Sequence, residues 1–424
     1  MSIKKDVVKL IEDIIEDGKY SNIQMNYIFS KNSYTRNEKA FINNIVNVTI
    51  KNLMYIDYII ESLAKSPKRY IKQILRVSLA QILYTSADYK GVVFEAVEIA
   101  KEYNEFQAKF VNSFLRNFIE KKEELEINAP LNVKLSYPKW FVEKMKIEFG
   151  EDKYLDVLRR YKQNSYFSVR VNHKKLSKDN FIKLVKDVES EILFEVDNVY
   201  YLNNNKITKT KDYLLGNIHI QDGSSNLVVK ILDVKDTDLV YDAAAAPGGK
   251  SLAILEGYNP LKLVATDIHE HKVNMLKEFE KDYTNFEAIC SDATKFNQGI
   301  YDKILLDVPC SGIGVLTKKP EKIYKLKQND IKEIKKIQKK IFDNVYKLLK
   351  EGGELVYSTC TILQNENTNN LEYFLNKYPE LEVVDVEFPK EVKIIKDRFG
   401  GNLISYENKY LDGFYIVKLK KGKN

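Results

Sequence analysis

Two cysteines and a set of aspartates are the residues of this sequence best suited to chemistry. LLDVPCSGIGV (Leu305–Val315) places Asp307, Pro309 and Cys310 just past an apolar run, and LVYSTCT (Leu355–Thr361) places Cys360 past another. A single buried cysteine usually acts as a small hydrophobe. Two at strand ends, one beside an acid, point to chemistry instead. Cys290 lies inside the apolar run FEAIC and reads as core. A thiolate with a second thiol nearby suits one demanding reaction. Carbon 5 of cytosine is a poor nucleophile, but a thiolate added at carbon 6 makes it enamine-like and able to attack an electrophilic methyl group. A base must then remove the carbon 5 proton so that the first thiol can leave. A carboxylic group against the base edge would stabilise the adduct.

A third motif, YDAAAAPGGKS (Tyr241–Ser251), suits a ligand rather than a reaction. Its small residues let backbone approach closely, and the helix expected after it presents free N–H groups. It has neither the G-x-x-x-x-G-K nor the G-x-G-x-x-G spacing. Asp267 ends the next apolar run, 25 residues after Asp242. An acid there can take both hydroxyls of a ribose. The spacing therefore points to a ribose-bearing cofactor, with a tight turn beside an incidental acid as the alternative. The four histidines (His173, His219, His269, His271) form no metal-binding pattern, and no metal is expected.

These residues need a scaffold, and the C-terminal half supplies its pattern. DLVYDA, LKLVATD, FEAICSDA, YDKILLD and ELVYSTC alternate with helical stretches, the longest from about Gln328 to Lys350. That alternation predicts a parallel sheet covered by helices, with ligands bound beyond the carboxyl ends of its strands. Residues 1–125 show helical periodicity instead. Ile71, Ile74, Leu75, Leu79, Ile82 and Leu83 form one stripe, and Phe110, Val111, Phe114, Leu115 and Phe118 another. Between the two regions, Pro130 and Pro138 punctuate a break. Helix follows over 138–165, then strands at Phe167–Asn172 and Glu191–Val196 around a helix. The expected domains are 1–128, 129–217 and 218–424.

The chain has 424 residues and a formal net charge of +7; 44% of its residues are hydrophobic and 30% charged. That composition excludes disorder, collagen and a disulfide scaffold, the last because only three cysteines are present. No apolar run approaches the ~20 residues of a membrane helix, and the acid-bearing N-terminus is no signal peptide. A cytoplasmic protein with reduced thiols is expected. The charge is uneven. Residues 1–128 hold 19 Lys and Arg against 17 Asp and Glu, 129–217 hold 17 against 12, and 218–424 hold 31 against 31. The excess thus sits in the middle, where it suits a polyanion such as RNA or simply a solvated lysine-rich surface.

Ala-Pro-Gly-Gly-Lys (Ala246–Lys250), Asp-Val-Pro-Cys-Ser-Gly (Asp307–Gly312) and Tyr-Ser-Thr-Cys (Tyr357–Cys360), in that order, resemble the S-adenosylmethionine-dependent RNA 5-methylcytosine methyltransferases. QDGSSNLVV (Gln221–Val229), the helix of Gln338 and the closing DGFYIVKLKK are similar to the same family. Leu75–Phe118 resembles the NusB-like helical domain. Together they resemble the bacterial 16S small-subunit ribosomal RNA methyltransferase B family (Sun/Fmu). The resemblance implies a Rossmann-like class I α/β domain, preceded by an all-α NusB-like domain and a small mixed α/β segment. It implies S-adenosyl-L-methionine as cofactor and 16S rRNA as partner; independently of the resemblance, no membrane association and a monomer are expected. It assigns Cys360 as nucleophile and Cys310 to product release, with Asp307 and Lys250 in the catalytic site. Ala244, Ala245, Ala246, Pro247, Gly248, Gly249 and Lys250 form its cofactor loop. Asp267 would hold the ribose, Asp292 would sit near the adenine, and Asp307 would lie between cofactor and target base. The family's arginine-rich stretch after the Pro-Cys motif reads LTKKPEK (Leu316–Lys322) here. The same chemistry on transfer or large-subunit RNA, and a non-catalytic RNA-binding assembly factor, remain alternatives.

Overall fold

The computed structural model describes residues 3–422. The chain forms two compact units, Met1–Gln163 with Leu316–Leu326, and Asn164–Val315 with Lys327–Asn424.

The first unit is helical: α1 (Ile3–Ile15), α2 (Ser21–Lys31), α3 (Arg36–Lys51), α4 (Leu53–Leu63), α5 (Arg69–Tyr84), α6 (Tyr89–Lys101), α7 (Glu105–Asn128), the single turn α8 (Leu131–Lys134), α9 (Lys139–Phe149) and α10 (Tyr154–Lys162). The expected stripes form its core. Ile71, Ile74, Leu75 and Leu79 of α5 are buried with Val111, Phe114, Leu115 and Phe118 of α7. Local signals set the helix starts. Thr35 and Glu38 make a reciprocal capping box at α3, and the Asn104 side chain accepts from the Gln107 N–H at α7.

The second unit holds two sheets. Strands β1 (Phe167–Val171), β2 (Ile192–Val196), β3 (Val199–Leu202) and β4 (Ile218–Ile220) form an antiparallel sheet in the order β2-β3-β1-β4. Helix α11 (Lys178–Asp187) follows β1, and the short α12 (Lys211–Leu214) precedes β4. Then come α13 (Gly223–Leu232), β5 (Leu239–Asp242), α14 (Gly249–Gly257), β6 (Lys262–Asp267), α15 (Glu270–Lys277), β7 (Phe286–Cys290) and β8 (Tyr301–Asp307). Past β8 the chain contributes Leu316–Leu326, with its turn α16 (Lys322–Lys325), to the helical unit. It continues with α17 (Gln328–Val345), β9 (Leu349–Thr359), α18 (Thr368–Lys377), β10 (Leu381–Val384), β11 (Ile394–Lys396), β12 (Asn402–Ile404) and β13 (Phe414–Lys421). The large sheet runs β11-β12-β13-β9-β8-β5-β6-β7, with β10 beside β13. Strands β5 to β9 pair in parallel, and β13 closes antiparallel against β9. The strand order reverses at β5, the position at which open α/β sheets bind ligands.

The units divide elsewhere than at 128/129 and 217/218. Residues 129–163 join the helices because their contacts lie there: Ser136 Oγ accepts from the Met54 N–H, and Lys51 Nζ donates to Gln163 O. Residues 164–217 join the sheet unit because Arg170 of β1 pairs with Glu256 of α14, and Tyr201 of β3 bonds to Asp222 at the start of α13. The expected domain 218–424 takes in the segment 316–326. Instead its side chains finish three helices of the first unit. Glu321 accepts from Ser21 N–H (3.2 Å) and Oγ (3.0 Å) at the start of α2. Lys325 Nζ donates to the carbonyls of Gly18 (2.8 Å) and Lys19 (3.1 Å) past the end of α1. The Tyr324 hydroxyl donates to Ile50 O (2.8 Å) in the last turn of α3. Acid at a helix start and base beyond a helix end are the arrangements that orphan backbone groups and the helix dipole favour.

Candidate active site

Parallel pairing brings the motifs together. Asp307 at the end of β8 stands in register with Ser358 of β9, so Cys310 and Cys360 follow two neighbouring strand ends. Their sulfurs lie 3.0 Å apart, both half-buried and neither in a disulfide. Cys310 is pushed well above the usual thiol range, first by its hydrogen bond with Cys360, then by burial and by the charges of Cys360, Glu366 and Asp307. Cys310 therefore holds its proton more tightly than an ordinary thiol does.

Asp307 is held at both oxygens. Lys250 Nζ donates to Oδ2 (2.6 Å) and Ser358 Oγ to Oδ1 (2.9 Å). Burial works against the Lys250 cation, yet the Asp307 carboxylate raises its pKa, with smaller help from Asp242 and Cys360. The ammonium also lies over the Phe414 ring, 5.5 Å from its centre. The turn that carries Cys360 is pinned by close backbone contact. Gly314 N–H donates to Cys360 O (3.0 Å), and Gly413 N–H donates to Gly314 O (3.0 Å). A Cβ at Gly314 would stand 1.9 Å from Gly413 O, so only glycine fits there.

The loop Ala243–Gly248 lies at the switch point. Ala243 N–H donates to Leu305 O (3.0 Å) and Ala245 N–H to Thr266 O (2.9 Å), which seats the loop between β8 and β6. Gly248 has φ +102°, and a Cβ there would lie 2.5 Å from Phe279 and 2.6 Å from Leu276. Ala244 and Ala246 are half-buried, Ala245 is buried, and Pro247 and Gly249 are exposed. Asp242, under the loop, accepts from Ser251 Oγ (2.6 Å). Burial raises its carboxyl to about 6, against the bonds from Ser251 and Ala244.

Asp267 is the last residue of β6, and Asp292 stands past the end of β7. Asp267 Oδ1 accepts from the His269 N–H (3.0 Å). Asp292 Oδ1 accepts from Thr294 N–H (2.9 Å) and Oγ1 (2.8 Å), and these bonds hold its carboxyl below the usual range against partial burial. Among the described residues, Oδ2 of each aspartate has no hydrogen-bond partner. Two such acceptors beside a loop of small residues fit a group that presents hydroxyl and amino donors, as a ribose-bearing cofactor does. Cys290 is a correction. It was expected in the core but is exposed, because it is the last residue of β7, whose buried positions are Phe286 and Ala288.

The structure thus brings Cys310, Cys360, Asp307 and Lys250 into one constellation and places Asp267 and Asp292 on the same sheet edge. Sequence reasoning missed Ser358, Phe414 and Gly314. Ser358 lies two residues before Cys360, a usable signal; Phe414 and Gly314 gave none outside their motifs.

A doubly wound sheet with a small-residue loop at its switch point and paired thiols at two strand ends defines a Rossmann-like methyltransferase. Residues 229–420 match the family described as 16S rRNA methyltransferase RsmB/F, and residues 1–120 match the NusB family. The C-terminal region is thus similar to the RsmB/F methyltransferases and the N-terminal region to the NusB family. It is 29% identical over 444 residues to the probable ribosomal RNA small subunit methyltransferase B of Bacillus subtilis (strain 168), covering 99% of each chain. It is 27% identical over 434 residues to ribosomal RNA small subunit methyltransferase B of Yersinia enterocolitica, again covering 99% of each. Its fold is similar to the crystal structure of PH0851, with a TM-score of 0.83 at 24% identity over 99% of both chains. No helix of the described residues is long and apolar enough to cross a membrane.

Proposed function

We propose that this methyltransferase modifies carbon 5 of a cytidine in 16S small-subunit ribosomal RNA, through a covalent adduct with Cys360. The observation that carries this reading is the pair of thiols 3.0 Å apart beside the Lys250–Asp307 pair. Cys360 adds to carbon 6 of the ring. Asp307, held by Lys250 and Ser358, faces the same sheet edge as the thiols and suits the polar edge of the base. S-adenosylmethionine, when bound, supplies the electrophilic methyl group that carbon 5 accepts. Asp267 would hold its ribose and Asp292 would sit near its adenine, with Ala244–Lys250 as the loop against it.

Cys310, its own proton first passed to water, takes the carbon 5 proton as a thiolate, and the electron pair of the broken C–H bond expels Cys360 from carbon 6 as a thiolate. The roles suit the acidities. Cys310 stays protonated chiefly through its bond with Cys360. Once Cys360 is a thioether, that bond and that charge are gone and the Cys310 proton is easier to lose. The target base must leave any stack to meet the thiol, so a loop or extruded cytidine is expected. The NusB-family region and the basic segment 129–217 are the surfaces we assign to RNA, with the chain acting as a monomer in the cytoplasm.

The test is methyl transfer from labelled S-adenosylmethionine to protein-free, unmodified small-subunit RNA, read by mapping 5-methylcytosine. One labelled cytosine, lost in Cys360→Ala, is expected. Label on transfer or large-subunit RNA instead would discard the substrate, and none on any RNA would favour a scaffold. Cys310→Ala should leave a covalent RNA complex that survives a denaturing gel. A complex with Cys360→Ala instead would reverse the two roles.

A further inference from the structure

A buried polar network that the mechanism above does not use surrounds the two cysteine turns. Glu366, fully buried, lies between β9 and α18. Its Oε2 accepts from the Ser311 N–H (2.9 Å) and from Gln338 Nε2 (3.0 Å). Gln338, fully buried on α17, also donates from Nε2 to Pro309 O (2.9 Å), and its Oε1 accepts from Asn370 Nδ2 (2.8 Å). One side-chain pair therefore holds the carbonyl before Cys310 and the amide after it. A second tie joins the residues that follow each cysteine, Ser311 Oγ to Thr361 Oγ1 at 2.8 Å. The Glu366 backbone is fixed in turn, its carbonyl accepting from the Tyr357 hydroxyl (2.7 Å). A buried carboxyl is costly to a fold. This one makes contacts that meet the backbone next to a reacting thiol.

We propose that Glu366, acting with Gln338, is a positioning residue that clamps the Pro309–Ser311 turn and so sets the Cys310 thiol against Cys360. This rests on the reading of the two thiols as a pair that acts on one base. Glu366 does not touch the substrate; it acts through the backbone of the turn. Its charge also stands among those that keep Cys310 protonated.

The full chain carrying Cys290→Ser is treated with phenylarsine oxide, whose arsenic bonds two nearby thiols at once and releases its oxygen as water with their two protons. The parent should take one arsenic and lose reactivity at both cysteines towards an alkylating reagent. Glu366→Ala should bind the arsenical at least about tenfold more weakly, because the two thiols no longer act as one chelate. Its kcat should fall about a hundredfold, the effect of misplacing a group by about 1 Å, with KM for S-adenosylmethionine unchanged. Glu366→Gln keeps an oxygen for the Ser311 N–H and should restore both readouts. Gln338→Leu removes the bonds to Pro309, Glu366 and Asn370 but leaves the Ser311 N–H on Glu366, and it carries the same test if Glu366→Ala does not fold. Arsenical binding by Glu366→Ala or a folded Gln338→Leu equal to that of the parent would overturn the clamp. So would a Glu366→Gln chain as impaired as the alanine variant. Arsenical results as expected in a chain that methylates no cytosine would uphold the clamp and discard the proposed function.

Discussion

The two ends of the methyltransferase crevice are built in opposite ways. At the ends of β8 and β9, the groups that would react are already committed. Asp307 is bonded at both oxygens, the thiols touch, and the turn that carries Cys310 is tied by Glu366 and Gln338. At the ends of β6 and β7, the carboxylates hold only their own following turns and keep Oδ2 open, beside an exposed Ile268 and Cys290. The difference teaches how to tell a reacting centre from a binding one. Groups that must meet a transition state are fixed beforehand, whereas groups that bind keep acceptors for the ligand.

Four substitutions sharpen or break that contrast, in order of expected effect. Cys360→Ala, at the committed end, should abolish methyl transfer, a loss of at least about 10⁴-fold or ~5 kcal/mol in kcat/KM. Turnover within a factor of about ten would move the nucleophile elsewhere. The next concerns Asp242, buried between the two ends. Its pKa is raised from 3.8 to about 6, so the folded chain binds a proton that the unfolded chain lacks between about pH 4 and 6. Its contribution to stability is therefore lost as pH rises through 6. Asp242→Asn should gain up to about 3 kcal/mol over wild type above that pH, shrinking to nothing below about pH 4, in denaturant melts. A gap that stays constant with pH would show that Asp242 titrates normally. At the open end, Asp267→Ala should weaken S-adenosylmethionine binding by ~2–3 kcal/mol in calorimetry and leave the fold intact. Unchanged affinity would end its assignment to the ribose. Cys290→Ser, on the exposed end of β7, should change activity and stability by less than about 0.5 kcal/mol. A larger loss would mean that the open end also holds a working thiol.

Much of this contrast was legible in the sequence. The apolar runs of the parallel strands and their terminal acids were found because buried parallel strands read as short continuous apolar segments. The helix from Gln328 was placed, though it ends at Val345 and not near Lys350, because β9 begins at Leu349. Strands β3 and β4 were not found. Ile218–Ile220 is three residues long, too short for any period to show. The exposure of Cys290 was hidden because an apolar run does not say which residue ends a strand. The placement of Leu316–Leu326 had no local signal at all. Its Glu321, Tyr324 and Lys325 read as surface residues until their partners, some 300 residues away for Glu321 and Lys325, are known. The clamp of Glu366 and Gln338 depends in the same way on long-range pairing.

That distant segment also sets an order in time. The helical unit is encoded in two pieces, with 152 residues between Gln163 and Leu316. A ribosome adding about 5–20 residues per second needs roughly 8–30 s to cross that gap. For that interval the emerging helices α1, α2 and α3 lack the side chains that finish their ends. The N-terminal region therefore cannot complete its fold as it is made, and a gene fragment that stops at Gln163 would encode a bundle that never receives its last three caps.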